Sequence, residues 1–480
     1  MNSKKHEISK YGYIIFISLI VSSLFNYLYQ VVMGNMLNRS DFGVLGLALS
    51  TFFVVAVLLQ NTFTWSGTRY MASEPELSPQ IFDAVLLGNL ALAIFLSAVA
   101  LNIAKTSSFF NLSVLISATL IVGALLTSIN SYLRAHKLFS NIACANVLSS
   151  ITKFVSAILL VVAGYGATGA FSGVLVGMCV SLAYLLGVVR NRISTRVTID
   201  TNILKKLLKE SVFVAVVFTG ITVIINFNII ILKLVNVSNC VIGDFNAALT
   251  ISRGVFFLTS ALVLVVFSYT SSSDPDREVY AVRSLRYVLL FIVPVVASIY
   301  INPKLWLILF FGSKYLVSQE VLRILVVGIG LTSTAFVVLS NLVAFEDNRV
   351  PAVLVVTGVL IMCAYSLQHK TAEGVAEAVE VSAAFLAFTT LAYYATKYKI
   401  RIRVGDCAKV IMANIAFLGG LLTPQSRVSA FAAICLTYAL YVVVLVLTGV
   451  IDDSDMDTIL APLPESVRKK ISNVCKHNKT

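Results

Sequence analysis

Arg253 lies nine residues inside the run that opens at Asp244 and stays apolar to Phe267. At about 1.5 Å of helical rise per residue, that places it roughly 13 Å below the nearer end. An arginine at the centre of a membrane span costs about 2.5 to 3.5 kcal/mol on insertion scales, so something must offset it. Such a residue faces the bundle interior or a wetted cavity. There it either pairs with an internal carboxylate or meets an anionic ligand, whose phosphate oxygens a guanidinium fits with two parallel hydrogen bonds.

Carboxylates at depth are scarce. Asp41, Asp83, Glu210, Asp244 and Glu320 stand at or beyond the ends of apolar runs. Glu373, Glu377 and Glu380 share one helical face, and only Glu380 reaches far enough in to partner Arg253. Lys153 lies about 10 Å from the end of its run, where snorkelling to the surface and lining a cavity are both open. Two uncharged polar faces complete the set. Ser22, Asn26 and Gln30 recur every fourth residue, as do Thr222 and Asn226, with Thr219 and Asn228 close by. These faces serve either as interhelical hydrogen bonds, worth about 0.6 kcal/mol each, or as walls of a polar cavity. The candidate binding residues are therefore Arg253, Lys153, Asn26, Gln30, Asn226, Asn228 and Glu380. The sequence suggests no catalytic group, metal set or cofactor.

The elements that carry these residues are membrane spans. The chain has 480 residues, of which 58% are hydrophobic and 12% charged, against about 25% charged in soluble proteins. Apolar runs of about 20 residues recur fourteen times, near 12–34, 43–65, 84–104, 114–133, 146–164, 169–189, 211–234, 244–269, 285–301, 320–343, 350–368, 374–396, 407–423 and 428–450. The ninth, followed by "NPKLWLILFFG", is the least regular. The first follows a basic leader, but it is too long for a secretion signal and has no small-residue cleavage site, so it reads as span 1. The seven cysteines form no C-x-x-C pair and sit mostly inside apolar runs as small hydrophobes.

The formal charge of +13 is topological. With the N-terminus in the cytoplasm, most Lys and Arg fall in the tails and even-numbered loops, which is the positive-inside asymmetry of a protein with both ends cytoplasmic. Nucleic acid is not an expected partner.

The chain also repeats itself. "SDFGVLGLALS" at Ser40–Ser50 returns as "GDFNAALTISR" at Gly243–Arg253, an offset of 203 residues. "VGALLTS" at Val122–Ser128 returns as "VGIGLTS" at Val327–Ser333, and Gly169 falls opposite Gly374, both at offset 205. Spans 1–6 and 7–12 thus form two copies. Six is even, so both copies enter from the same side and are related by an axis along the membrane normal, an arrangement in which halves rock around a shared site. The expected organisation is an all-α polytopic membrane protein with an N-lobe at 1–190 and a basic cytoplasmic linker at 191–210. A C-lobe at 211–396, two extra helices at 397–450 and a cytoplasmic tail at 451–480 follow. The tail reads either as a short basic helix on the inner leaflet or as a disordered segment.

"LNRSDFGVLGLALS", the segment "YLRAHKLFSNIACANVLSSITKFVSAILLVVAGYGATGAFSGVLVG", "VIGDFNAALTISR" and "LWLILFFGSKYLVSQEVLRILVVG" resemble the polysaccharide exporters of the multidrug/oligosaccharidyl-lipid/polysaccharide (MOP) superfamily. The resemblance covers nearly the whole chain. It implies a two-lobed flippase of the cell membrane that carries an undecaprenyl- or dolichyl-diphosphate oligosaccharide to the outer leaflet, as O-antigen flippases do. A glycan polymerase or ligase and glycosyltransferases are the partners compatible with that role. The chain departs from the family pattern late in span 7, where "INFNIIILK" has asparagines in place of an aspartate. Drug extruders of the superfamily carry an acidic residue inside span 1 or 7, and neither interior has one. A cation-coupled antiporter is accordingly the second function class. A membrane polymerase or ligase is the third, and it lacks the large external loop such enzymes use. No "GxxxxGK" loop for nucleotide binding is present.

Overall fold

In the computed structural model the described residues are 2–104, 110–190, 201–270 and 277–398, with Leu436, Tyr438 and Tyr441. They are all helical apart from turns. The N-terminal half comprises α1 (Asn2–Met36), α2 (Arg39–Thr62), α3 (Thr64–Ser73), α4 (Ser78–Ala104), α5 (Phe110–Ala135), α6 (Phe139–Val162) and α7 (Gly166–Val189). The second half comprises α8 (Thr201–Leu234), α9 (Asn239–Thr270), α10 (Arg277–Ile301), α11 (Pro303–Phe311), α12 (Gln319–Ala344), α13 (Arg349–Gln368) and α14 (Ala372–Tyr398). Among the described residues, ten helical segments are long and apolar enough to cross a membrane. The expected spans 13 and 14 and the tail lie outside the described residues, as do residues 191–200 of the linker. Residues 201–210, expected as linker, form the first turns of α8.

Local chemistry explains the breaks. Asn38 caps α2 by accepting from the Asp41 amide at 2.7 Å, which places an aspartate in the first turn, where the helix dipole favours it. A single turn residue, Phe63, separates α2 from α3 within one apolar span, Arg39–Ser73. The irregular "NPKLWLILFFG" is a short helix of its own. Asn302 caps it, Pro303 occupies its first turn and Gly312, at φ 71°, ends it. Lys137, Asn236 and Glu346 take left-handed φ of 59°, 63° and 61° where α5, α8 and α12 end, closing those helices with paired backward hydrogen bonds.

The two halves pack alike. In the N-terminal half α4 lies on α5, α6 on α7 and α1 on α6; in the second half α10 lies on α12, α13 on α14 and α8 on α13. Between lobes the match fails. α2 packs extensively along α8, whereas the equivalent pair, α9 and α1, touches at few positions. α1 is thus tied to α6 and stands away from α9. Two faces follow from the connectivity: a turn face, where α1 passes into α2, and a linker face, where α3 passes into α4 and α7 ends.

Candidate functional site

At the turn face α2 and α9 cross through glycine. A Cβ added to Gly243 would lie 1.9 Å from the Arg39 carbonyl oxygen, and one on Gly43 would lie 2.1 Å from that of Asn239. No side chain fits that approach. The crossing aligns polar groups from both lobes. Arg39 grips Asp244 through both carboxylate oxygens, with Nε to Oδ1 at 2.7 Å, and the Asp244 side chain is only 7% exposed. Asn246 Nδ2 donates to the Phe42 carbonyl at 3.2 Å.

The same face is sealed around the end of α1, whose last carbonyls have no partner within the helix. The segment after α11 supplies partners. Tyr315 donates its hydroxyl to Gly34 O at 2.9 Å. Lys314 Nζ donates to Gly34 O at 3.2 Å and also to Leu37 O, a cation at a helix C-terminus where the dipole favours it. Asn35 Nδ2 donates to Phe310 O at 2.8 Å. Gln30 Oε1 accepts from Thr250 Oγ1 at 3.5 Å, joining α1 weakly to α9.

Deeper along the crossing stands Arg253, 4% exposed. Its Nη2 donates to Ser50 Oγ at 3.2 Å. Ser50 stands 203 residues before it, the offset at which the two sequence segments align, so the guanidinium bonds the residue opposite it in that alignment. Nε and Nη1 are buried with no hydrogen-bond partner. The expected carboxylate partner is absent: the ion pairs of the described residues do not include Arg253 with Glu380. Glu380 is partly buried on α14, its backbone packed where a Cβ on Gly328 of α12 would come within 3.1 Å. A buried guanidinium held by one neutral hydroxyl is a costly arrangement for a merely structural residue, since unpaired buried charges are strongly destabilising.

Lys153 of α6 forms a second cationic group. Its Nζ donates to Asn26 Oδ1 and lies 4.7 Å from the Tyr29 ring centroid, a distance at which the ring face attracts a cation. Tyr29 is held in turn by its hydroxyl, which donates to Ala170 O at 2.9 Å. Lys153 therefore has an amide and a ring but no carboxylate. Asn26 and Lys153 meet, Gln30 reaches Thr250 on α9, and Arg253 joins α9 to α2 through Ser50. Asn226 and Asn228 are turned to their own helix: Asn226 Nδ2 donates to Thr222 O at 2.9 Å, and Asn228 bonds Ile225 O and the Ile229 amide.

At the linker face an open cavity of about 1000 Å³ lies between α2–α3, the end of α5, the start of α8 and the end of α12. One exposed ion pair, Arg69 with Glu346 at 3.6 Å, spans it. Sequence reasoning missed this cavity and the turn-face seal, because their residues come from spans far apart in the chain. Ser50 was within reach, as it stands opposite Arg253 in the aligned repeats.

This helical architecture is shared with solved membrane transport proteins of low sequence identity. Among solved structures the chain is similar to the lipid II flippase MurJ in an inward closed conformation, with TM-score 0.69 and 14% identity over 90% of this chain and 98% of that one. It is also similar to an outward-facing multidrug resistance MATE family transporter of the MOP superfamily, with TM-score 0.61 and 16% identity over 81% and 95%. A MOP superfamily transporter from Pyrococcus furiosus, described as having a binding pocket of reverse polarity, gives the same TM-score of 0.61 at 16% identity, over 81% and 95%. No family model and no curated protein sequence matches the chain.

Proposed function

We propose that this protein is a flippase that moves a polyprenyl-diphosphate-linked oligosaccharide from the cytoplasmic to the outer leaflet by alternating access, in the service of surface glycan synthesis. The observation that carries the reading is Arg253: a buried cation at the lobe crossing with two donor nitrogens unpartnered. Two phosphates present the acceptor oxygens that fork lacks, and Lys153 offers further positive charge from the N-lobe. The likeness to a lipid II flippase supports a lipid-linked substrate. The positive-inside asymmetry puts both termini in the cytoplasm, so that the turn face is outward and the linker face inward.

The separation of α1 from α9 suits such a substrate. A head group between the lobes needs a lateral gap through which its polyprenyl tail stays in lipid, and the α1–α9 side supplies one, while the α2–α8 side is packed shut. Asn26 and Gln30 on α1 and Asn226 and Asn228 on α8 are the amides offered to the sugars, and the α8 pair also bonds its own helix. A cation-coupled antiporter fits less well, because the interiors of spans 1 and 7 carry no carboxylate.

Deleting the gene tests the reading. The lipid-linked oligosaccharide should accumulate in the inner leaflet and be inaccessible to an impermeant glycosidase in intact cells. Accumulation in the outer leaflet would assign the protein to a step after translocation.

A further inference from the structure

We infer that the linker-face cavity is a carbohydrate subsite, where the sugar head of the substrate is recognised apart from the diphosphate contact at Arg253. The inference rests on the flippase reading and adds a site to it. Its basis is the chemistry of the walls. The lining cations, Arg69 and Arg134, balance the lining carboxylates, Glu210 and Glu346. A lipophilic cation would call for an excess of carboxylate and a bare polyanion for an excess of cation; a polyhydroxyl ligand calls for donors and acceptors of both kinds. Gln60, Asn61 and Asn348 provide amides on the same walls.

Three groups are poised for such a ligand. Asn348 lines the cavity, and its Oδ1, an acceptor without a hydrogen-bond partner, is covered by protein, so a hydroxyl reaches it once the wall shifts. Arg134 makes no ion pair with any described carboxylate, whereas Arg69 is committed to Glu346 and Glu210 accepts from Tyr70. Trp65 lines the cavity with 40% of its surface exposed, tilted at 42° against Phe218 with ring centroids 6.4 Å apart. That packing leaves the indole a rigid apolar platform of the kind on which a pyranose ring lies, at little entropic cost. The cavity volume of about 1000 Å³ stands at the upper end for small-ligand sites, room for more than one sugar.

The chain has only two tryptophans, Trp65 and Trp306, so Trp306→Phe leaves Trp65 as the sole indole reporter. Purified Trp306→Phe protein in nanodiscs is titrated with farnesyl diphosphate and with its glucosyl, galactosyl and N-acetylglucosaminyl derivatives. At least one glycosylated probe should bind tenfold or more tighter than farnesyl diphosphate and shift the Trp65 emission. Trp65→Leu and, separately, Asn348→Ala should erase that preference while leaving farnesyl diphosphate affinity within twofold. The second variant guards against loss of fold, since it removes one side-chain amide. If all four probes bind within twofold of one another and leave the emission unchanged, the subsite is rejected and the flippase reading stands. If farnesyl diphosphate itself fails to bind, the reading beneath the inference falls, and the inference with it.

Discussion

Arg253→Ala should reduce export at least a hundredfold while the protein stays folded and abundant, and Arg253→Met should raise the melting temperature. The two effects have one cause. In the structure the guanidinium is 4% exposed and bonded only to Ser50, so its desolvation cost is offset chiefly by an anion brought against it. Removing it relieves that cost, and the transition state for translocation loses a charge-assisted contact; a hundredfold loss corresponds to about 2.7 kcal/mol. Arg253→Lys keeps the charge without the planar fork and should retain about a tenth of the activity. A structural arginine behaves in the opposite way: its alanine variant loses several kcal/mol of stability and is degraded. Adding Glu380→Ala should restore nothing, because the two residues do not form an ion pair. Melting curves and surface glycan measured together on the same variants check this, and a destabilised Arg253→Met protein would contradict it.

Gly243→Leu should stop transport by holding the turn face open. A Cβ there would sit 1.9 Å from a backbone oxygen of the opposite lobe, and backbone cannot move aside as a flexible side chain can. Overpacking typically costs about 1 to 3 kcal/mol, and at the upper end that shifts a two-state balance by about a hundredfold. The Arg39–Asp244 pair, the Asn246 bond to Phe42 and the Lys314 cap on α1 all depend on the same approach, so they part together. The reporter is Thr250→Cys, at a site 2% exposed with the face closed. Its rate of modification by an impermeant thiol reagent from outside should rise at least tenfold when Gly243→Leu is added. Unchanged labelling with normal export would show that the crossing is not a gate.

Much of this was legible in the sequence because it is local. Apolar runs report most of the described spans directly, the 203-residue offset places Ser50 opposite Arg253, and the depth of Arg253 follows from counting along one helix. Contacts between lobes are another matter. The polar pattern Thr222–Asn226 does not tell which groups the amides meet, and the structure adds a bond from Asn226 Nδ2 back to the Thr222 carbonyl. Lys314 reads as a charge in a loop, and only the placement of α11 against α1 makes it a helix cap. The motif "SDFGVLG" contained the glycine of the crossing, but nothing in a single strand of sequence says which backbone will approach it. Trp65, Arg134 and Asn348 come from three separate spans and share no pattern at all.

The most direct test of the central claim is translocation by the purified protein. Liposomes holding it are loaded with a fluorescent oligosaccharide on a polyprenyl diphosphate, and the fraction exposed to an added impermeant glycosidase is followed over time. The account expects cleavage to pass beyond the fraction exposed at the start and approach completion with the native protein, and to stop at that initial fraction with Arg253→Ala. Equal cleavage with native protein, with Arg253→Ala and with empty liposomes would contradict it.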